Sequence, residues 1–170
     1  MKIIQGMKKI KELQIKAEDI RKKVANNCAH LDMDKPEYDD PKHTVAGWIQ
    51  AYEDILKEIL GLRVSIQKTN LATEVEIELG DKNVKKTIAE WIHRRRDLAK
   101  QQMSVWQSLT DRGLSSGFRK TSTGEGEPVK VEIIRNFDPA VRDDKVEMYR
   151  SEPMKIDSTL EVVNAVTELV

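Results

Sequence analysis

Five polar side chains stand where apolar ones are due. Thr69, Asn70 and Thr73 interrupt a helical seam in the stretch QKTNLAT, and Asn164 and Thr167 do so in the closing NAVTELV. Hydroxyls and carboxamides both donate and accept hydrogen bonds. Brought together at converging helix ends, they would form a ring of donors and acceptors around a small polar ligand. The same residue types serve two other purposes. Asn tolerates the left-handed conformation that ends helices and Thr suits the start of a strand, so the cluster also reads as capping. The two amides can equally satisfy each other at a subunit interface.

Cations are available in two places. The run HRRRD, His93 to Asp97, sets three arginines on consecutive helical positions, about 100° apart, so they cannot all face one ligand. Arg95 falls on the apolar seam of its helix and is expected to point inward or toward a neighbour, with Arg96 beside it. A buried guanidinium needs an anion, which is either a carboxylate, with Glu161 or Asp157 as candidates, or a ligand phosphate. The second place is SSGFRKTSTG, Ser115 to Gly124, where Arg119 and Lys120 sit among Gly, Ser and Thr. This composition fits a flap that closes on phosphate through backbone N–H groups and cations, and it fits a surface loop equally well. It lacks the spacing of a Walker loop.

Catalytic chemistry is poorly provided for. Ser115 and Ser116 have no nucleophile-elbow setting, and His30, His43 and His93 have no evident triad partners. Among Glu147, Glu152, Asp157 and Glu161, only Asp157 and Glu161 have the spacing that shares a helix face, which is a weak metal signal. One cysteine and three histidines make no zinc pattern. No catalytic residue, metal or cofactor is expected. Trp48, Trp91 and Trp106 lie on helix seams or their flanks and read as core or interface residues, one of which could stack on a base.

The elements that must position these groups follow from periodicity. Ile10, Leu13, Ala17, Ile20, Val24 and Leu31 predict a first helix over about 3–30. Two prolines in LDMDKPEYDDPKH end it. Thr44 is a candidate cap for a second helix over about 44–70, with seam Val45, Trp48, Tyr52, Ile55, Ile59, Leu62 and Ile66, and these two helices should pack antiparallel. TEVEIEL alternates as a half-buried strand over 73–79, and VKVEII predicts its partner over 129–134. A third helix is expected over about 84–111 on Val84, Ile88, Trp91, Leu98, Val105 and Leu109, with polar Arg95 and Gln102 in its seam. Residues 112–128 read as a mobile loop. Asp138 and Pro139 open a fourth helix over about 138–164, in which Pro153 either kinks the helix or marks a break near Ser151.

The fold expected is mainly α: a single domain, 1–170, built as an antiparallel bundle of long helices with a small two-stranded β element. A charged fraction of 34% with 5% aromatics suits long helices. Lys+Arg and Asp+Glu are equal at 29 each, so no global field favours nucleic acid or lipid. No apolar run reaches the roughly 20 residues of a membrane span, and the N-terminal apolar stretch is short for a signal peptide. A single Cys28 fits a reducing compartment, so the cytoplasm is expected, that of the host if the chain is phage-encoded. Apolar flanks at Leu56, Ile92, Met103 and Trp106 widen the seams beyond what one bundle covers, so a homo-oligomer is expected.

Two long helices followed by Thr69–Asn70, a third bearing Arg96–Asp97, and the terminal N-x-x-T-E-L of Asn164, Thr167, Glu168 and Leu169 resemble the septicolysin-like family of small helical bacterial and phage proteins. The likeness covers most of the chain outside the Gly/Ser-rich loop; that loop and Pro153 depart from it. It implies a helical subunit that assembles into a closed oligomer, and the family name implies a cytolysin.

Three functions follow as expectations. The first is a non-enzymatic oligomer enclosing a small anionic, nucleotide-type ligand, of cyclic or ADP-ribose type. In a phage such a protein would be a sponge that sequesters a signalling nucleotide of bacterial defence. Its binding residues would be Thr69, Asn70, Thr73, Arg95, Arg96, Arg119, Lys120, Asn164 and Thr167. The second is an interaction protein whose polar ring only sets oligomer register. The third is membrane activity, against which the mixed-charge outer faces of the helices speak.

Overall fold

The computed structural model describes residues 1–120 and 126–170. The protein is mainly α with small β elements. It folds as two compact units, one of Met1–Val75, Lys86–Ala89 and Thr159–Val170, the other of Glu76–Lys85 and Glu90–Ser158.

In the first unit α1 (Ile3–Asn27) packs antiparallel on α2 (Pro41–Ala72). The seam read from the sequence is the packed one: Leu13 and Ala17 of α1 and Ile59 of α2 are buried. Gly6 leaves room for Leu169 and Ile66, since a Cβ there would stand 2.9 Å from Leu169 Cδ1 and 3.5 Å from Ile66 Cδ1. The start of α2 lies earlier than Thr44. Asp40 caps it by accepting the His43 N–H at 3.0 Å, Pro41 occupies the first turn, and the Thr44 hydroxyl donates back to the Asp40 carbonyl. Pro in the first turn gives up an N–H that a helix start leaves unpaired in any case.

The strand expected at 73–79 is present as β1 (Glu74–Leu79), with Val75, Ile77 and Leu79 buried in alternation. Its partner differs from expectation. β1 pairs with β2 (Lys82–Thr87), not with 129–134, through a two-residue turn whose Gly80 has φ +61. Glycine with positive φ at the first central position suits the twist of a tight hairpin. Residues 84–87 therefore belong to a strand and not to the third helix.

That helical run begins as α3 (Ile88–His93), widens into a π-helical turn (Arg94–Leu98), and resumes as α4 (Ala99–Gln107). A π turn holds one extra residue and rotates everything after it. Trp91 and Ala99 are fully buried, whereas Leu98 and Val105 of the expected seam are 42% and 64% exposed. The inward positions have advanced by one, to Ala99, Met103 and Trp106.

The 112–128 stretch is not wholly loop. β3 (Gly117–Arg119) pairs antiparallel with β4 (Val129–Val131), Gly117 opposite Val131 and Arg119 opposite Val129. Of the flap expected from Ser115 to Gly124, Thr121 to Gly124 lie outside the described residues. α5 (Pro139–Val166) runs through Pro153 as one helix, capped by Asp138, whose carboxylate accepts the Ala140 N–H at 2.8 Å. Among the described residues no helix is long and apolar enough to cross a membrane.

Candidate functional site

The polar residues of QKTNLAT and NAVTELV all fall in the first unit, and most are engaged by the backbone. Thr69, 1% exposed, donates its hydroxyl proton to the Ser65 carbonyl at 2.9 Å and accepts the Val170 N–H at 3.0 Å. Ser65 Oγ donates to the Val170 carbonyl. Thr167 offers its carbonyl to the Ile3 N–H at 3.0 Å, and the Leu169 N–H donates to the Met1 carbonyl at 2.8 Å. Thr73 closes the last turn of α2 with its N–H to the Thr69 carbonyl, and its own carbonyl accepts the Ile88 N–H. Thr69 thus fastens a C-terminal strap through its hydroxyl, while Thr73 and Thr167 take part through backbone groups, Thr73 at the end of α2.

The strap is also held by charge. Glu168 meets Lys2 Nζ at 2.9 Å and the Met1 ammonium at 2.6 Å, and Lys2 also donates to the Val166 carbonyl. Hydrogen bonds from Lys2 and then from the ammonium pull the Glu168 carboxyl from its ordinary 4.5 down to about 2.

The two amides are different. The carboxamide oxygens of Asn70 and Asn164 are each buried with no hydrogen-bond partner among the described residues. In this orientation each side chain buries an acceptor that lacks a described donor. A buried unmade hydrogen bond costs about 1–3 kcal/mol, which makes both positions places where a further group would be gained rather than lost.

Arg95, Arg96, Arg119 and Lys120 belong to the second unit. The inward arginine is Arg94, not Arg95. Its Nε and Nη2 bind both oxygens of Glu152 at 2.7 Å, Nη1 donates to Gln102 Oε1, and the guanidinium lies 5.8 Å over the Tyr149 ring. Glu152 is fully buried, and its hydrogen bonds raise the Arg94 pKa above the ordinary value. Arg95 is turned outward, its side chain 53% exposed, and binds Asp157 through two contacts of 2.9 Å. That is one of the two carboxylates its sequence position suggested. The pairing lowers the Asp157 pKa and raises that of Arg95. Arg96 Nη2 is 3.0 Å from His93 Nδ1. Arg119 lies on β3 and Lys120 follows it, both exposed.

A groove of about 590 Å³ in the second unit holds none of the ligand-binding residues expected from the sequence. Lys82, Lys145 and Lys155 on its wall are matched by Asp81, Asp144 and Glu147, so it has no strong preference for an anion. Among the described residues no three His, Cys, Asp or Glu side chains gather as metal ligands would.

The feature that sequence reasoning largely missed is the outer face of α2. Ile49, Leu56, Leu60, Val64 and Leu71 are 46%, 45%, 63%, 41% and 59% exposed. At 100° per residue they fall within about 80° of one another over about 33 Å of helix. Only Leu56 was marked by the sequence, because the seam around Ile59 accounts for the helix without the others. The signal was present but broken: the spacings are seven, four, four and seven residues, with Glu53 and Gln67 at the intervening positions.

Comparison with known proteins adds a family without an activity. Residues 11–169 match the model of a family described as "Family of unknown function (DUF6847)". A crystal structure described as that of a functionally unknown conserved protein from Corynebacterium diphtheriae is similar in fold. It has 18% sequence identity and a TM-score of 0.55, with 100% of this chain and 99% of that chain covered. No curated protein matches.

Proposed function

The chain belongs to that family of unknown function, and we propose that it is a non-enzymatic, homo-oligomeric binding protein whose copies associate through the outer face of α2. The observation that supports this reading most is the stripe of five exposed aliphatic residues from Ile49 to Leu71. An isolated exposed leucine needs no explanation, but five exposed aliphatic residues along one helical stripe favour a partner surface. The inner seam of α2 already holds α1; of the stripe, Ile49 borders Ile20 and Val24 of α1, and all five residues keep 41–63% of their surface exposed.

A second reading adds a ligand to this assembly: a small anionic molecule of nucleotide type. It is favoured by the unmatched amides of Asn70 and Asn164. A carboxamide can read a donor–acceptor edge such as that of adenine. The anionic half of the reading has weaker support, because Arg95 is engaged by Asp157 and Arg96 by His93. It rests on the sequence and on the exposure of Arg119 and Lys120. An assembly of this kind with no chemistry of its own would act by sequestering the nucleotide.

Native mass spectrometry of the purified protein tests both readings at once. The expected result is a species at a multiple of the 19.5 kDa chain. A further small-molecule mass that is absent from Asn70→Ala and Asn164→Ala protein would support the ligand. An oligomer with no added mass would remove the ligand and leave the assembly. A bare monomer at micromolar concentration would overturn the proposal.

A further inference from the structure

The outer face of α2 reads the same in both directions. Its members are Ile49, Glu53, Leu56, Leu60, Val64, Gln67 and Leu71, separated by steps of four, three, four, four, three and four residues. Each is exposed. The step pattern is symmetric about Leu60, and so is the chemistry. Apolar Ile49 mirrors apolar Leu71, polar Glu53 mirrors polar Gln67, and Leu56 mirrors Val64.

We propose that this face is a self-complementary seam on which a second copy of the chain docks, α2 against α2, antiparallel, with the twofold axis at Leu60. It rests on the self-association proposed above and adds the partner's orientation and register. An isologous contact requires that residue i meet residue j and residue j meet residue i. The symmetric steps meet that requirement. Leu60 packs once on its own copy, on the axis, while Leu56 on Val64 and Ile49 on Leu71 each occur twice by symmetry.

The two polar members decide the direction. In the antiparallel register each Glu53 carboxylate faces a Gln67 side chain of the other copy, whose NH2 group supplies donors. In a parallel register Glu53 would face Glu53, placing two like charges in an apolar seam. A polar residue at one seam position is a known means of fixing register and orientation at some loss of stability. The 3-4 spacing is that of helices crossing at about 20°, which lets seven positions stay in contact along the full stripe.

Cysteine cross-linking in a Cys28→Ser background tests this directly, since Cys28 is the chain's one cysteine and is exposed. Ile49→Cys and Leu71→Cys proteins are prepared separately, then mixed and mildly oxidised. The expected result is a disulfide-linked dimer in the mixture, and none from either protein alone. Leu60→Cys protein should link to itself. Dimers from Ile49→Cys alone and from Leu71→Cys alone, with none specific to the mixture, would overturn the antiparallel register while leaving self-association standing. If none of the variants cross-links while the parent chain sediments as an oligomer, the α2 face is not the contact. A parent chain that sediments as a monomer removes both this seam and the association on which it rests.

Discussion

Ile59 and Leu60 are neighbours on α2, similar in size and chemistry, and they live in different surroundings. Ile59 is 6% exposed against α1, while Leu60, about 100° round the helix, is 63% exposed. Arg94 and Arg95 repeat the contrast in the second unit. Arg94 binds a fully buried carboxylate, and Arg95 binds a carboxylate that is 54% exposed. In the arginine pair the structure completes both members, so neither asks for anything more. In the α2 pair it completes only one. The inner seam is closed by α1, and the outer seam presents apolar groups with no cover. A residue type therefore says little until its surroundings are known to be finished or unfinished, and only unfinished surroundings point to a partner.

The largest expected effect sharpens the arginine half of the comparison. Glu152→Ala leaves Arg94 without its carboxylate and should cost about 3–5 kcal/mol of stability, read as a lower melting temperature. Asp157→Ala removes the corresponding partner of Arg95 at the surface, where screening by water holds the loss to about 0–1 kcal/mol. Equal losses for the two variants would show that the π turn does not divide the arginines into inward and outward.

The α2 half comes next. Ile59→Ala should lower stability by about 2–5 kcal/mol at any protein concentration, because it opens a cavity inside one chain. Leu60→Ala should leave the stability of the isolated chain within about 0.5 kcal/mol, as surface substitutions do. Its effect should appear only where copies meet, as a melting temperature that no longer rises with concentration.

The smallest effect concerns the strap. The Glu168 carboxyl is lowered to about 2 by Lys2 and the terminal ammonium, so its ion pairs add stability above pH 4.5. That contribution declines as pH falls from 4.5 and is gone once it passes below about 2. The protection of the Ile3 and Leu169 amides, taken relative to an unstructured peptide at the same pH, should fall across this window in the parent chain. In Glu168→Gln protein the same amides should show no such dependence.

Helices α1, α2 and α5 were legible in the sequence because their apolar seams persist for many turns, and β1 because Val75, Ile77 and Leu79 alternate with glutamates. β2 was not, since Lys82–Thr87 carries a single large apolar residue, Val84, which joins the helical pattern that follows as readily as a strand. The π turn was not legible either. Widening a helix by one residue leaves no mark on composition, yet it decides whether Arg94 or Arg95 faces inward. Of the candidate site, the sequence singled out the interruptions at Thr69, Asn70, Asn164 and Thr167. Only coordinates separate the threonines, whose hydroxyls or carbonyls are engaged by the strap, from the amides, whose oxygens have no described partner. The outer face of α2 was present as spacing, but a pattern that already explains a helix hides a second one on the same residues.

Sedimentation equilibrium of the parent chain beside Leu60→Glu protein tests the unfinished face most directly. A glutamate at the centre of the stripe sets two like charges against each other in any symmetric α2 contact, while Leu60 is 63% exposed in its own chain. The parent should sediment at a multiple of 19.5 kDa, and the variant at 19.5 kDa with unchanged helicity. Equal masses for the two proteins, whether monomer or oligomer, would contradict the account.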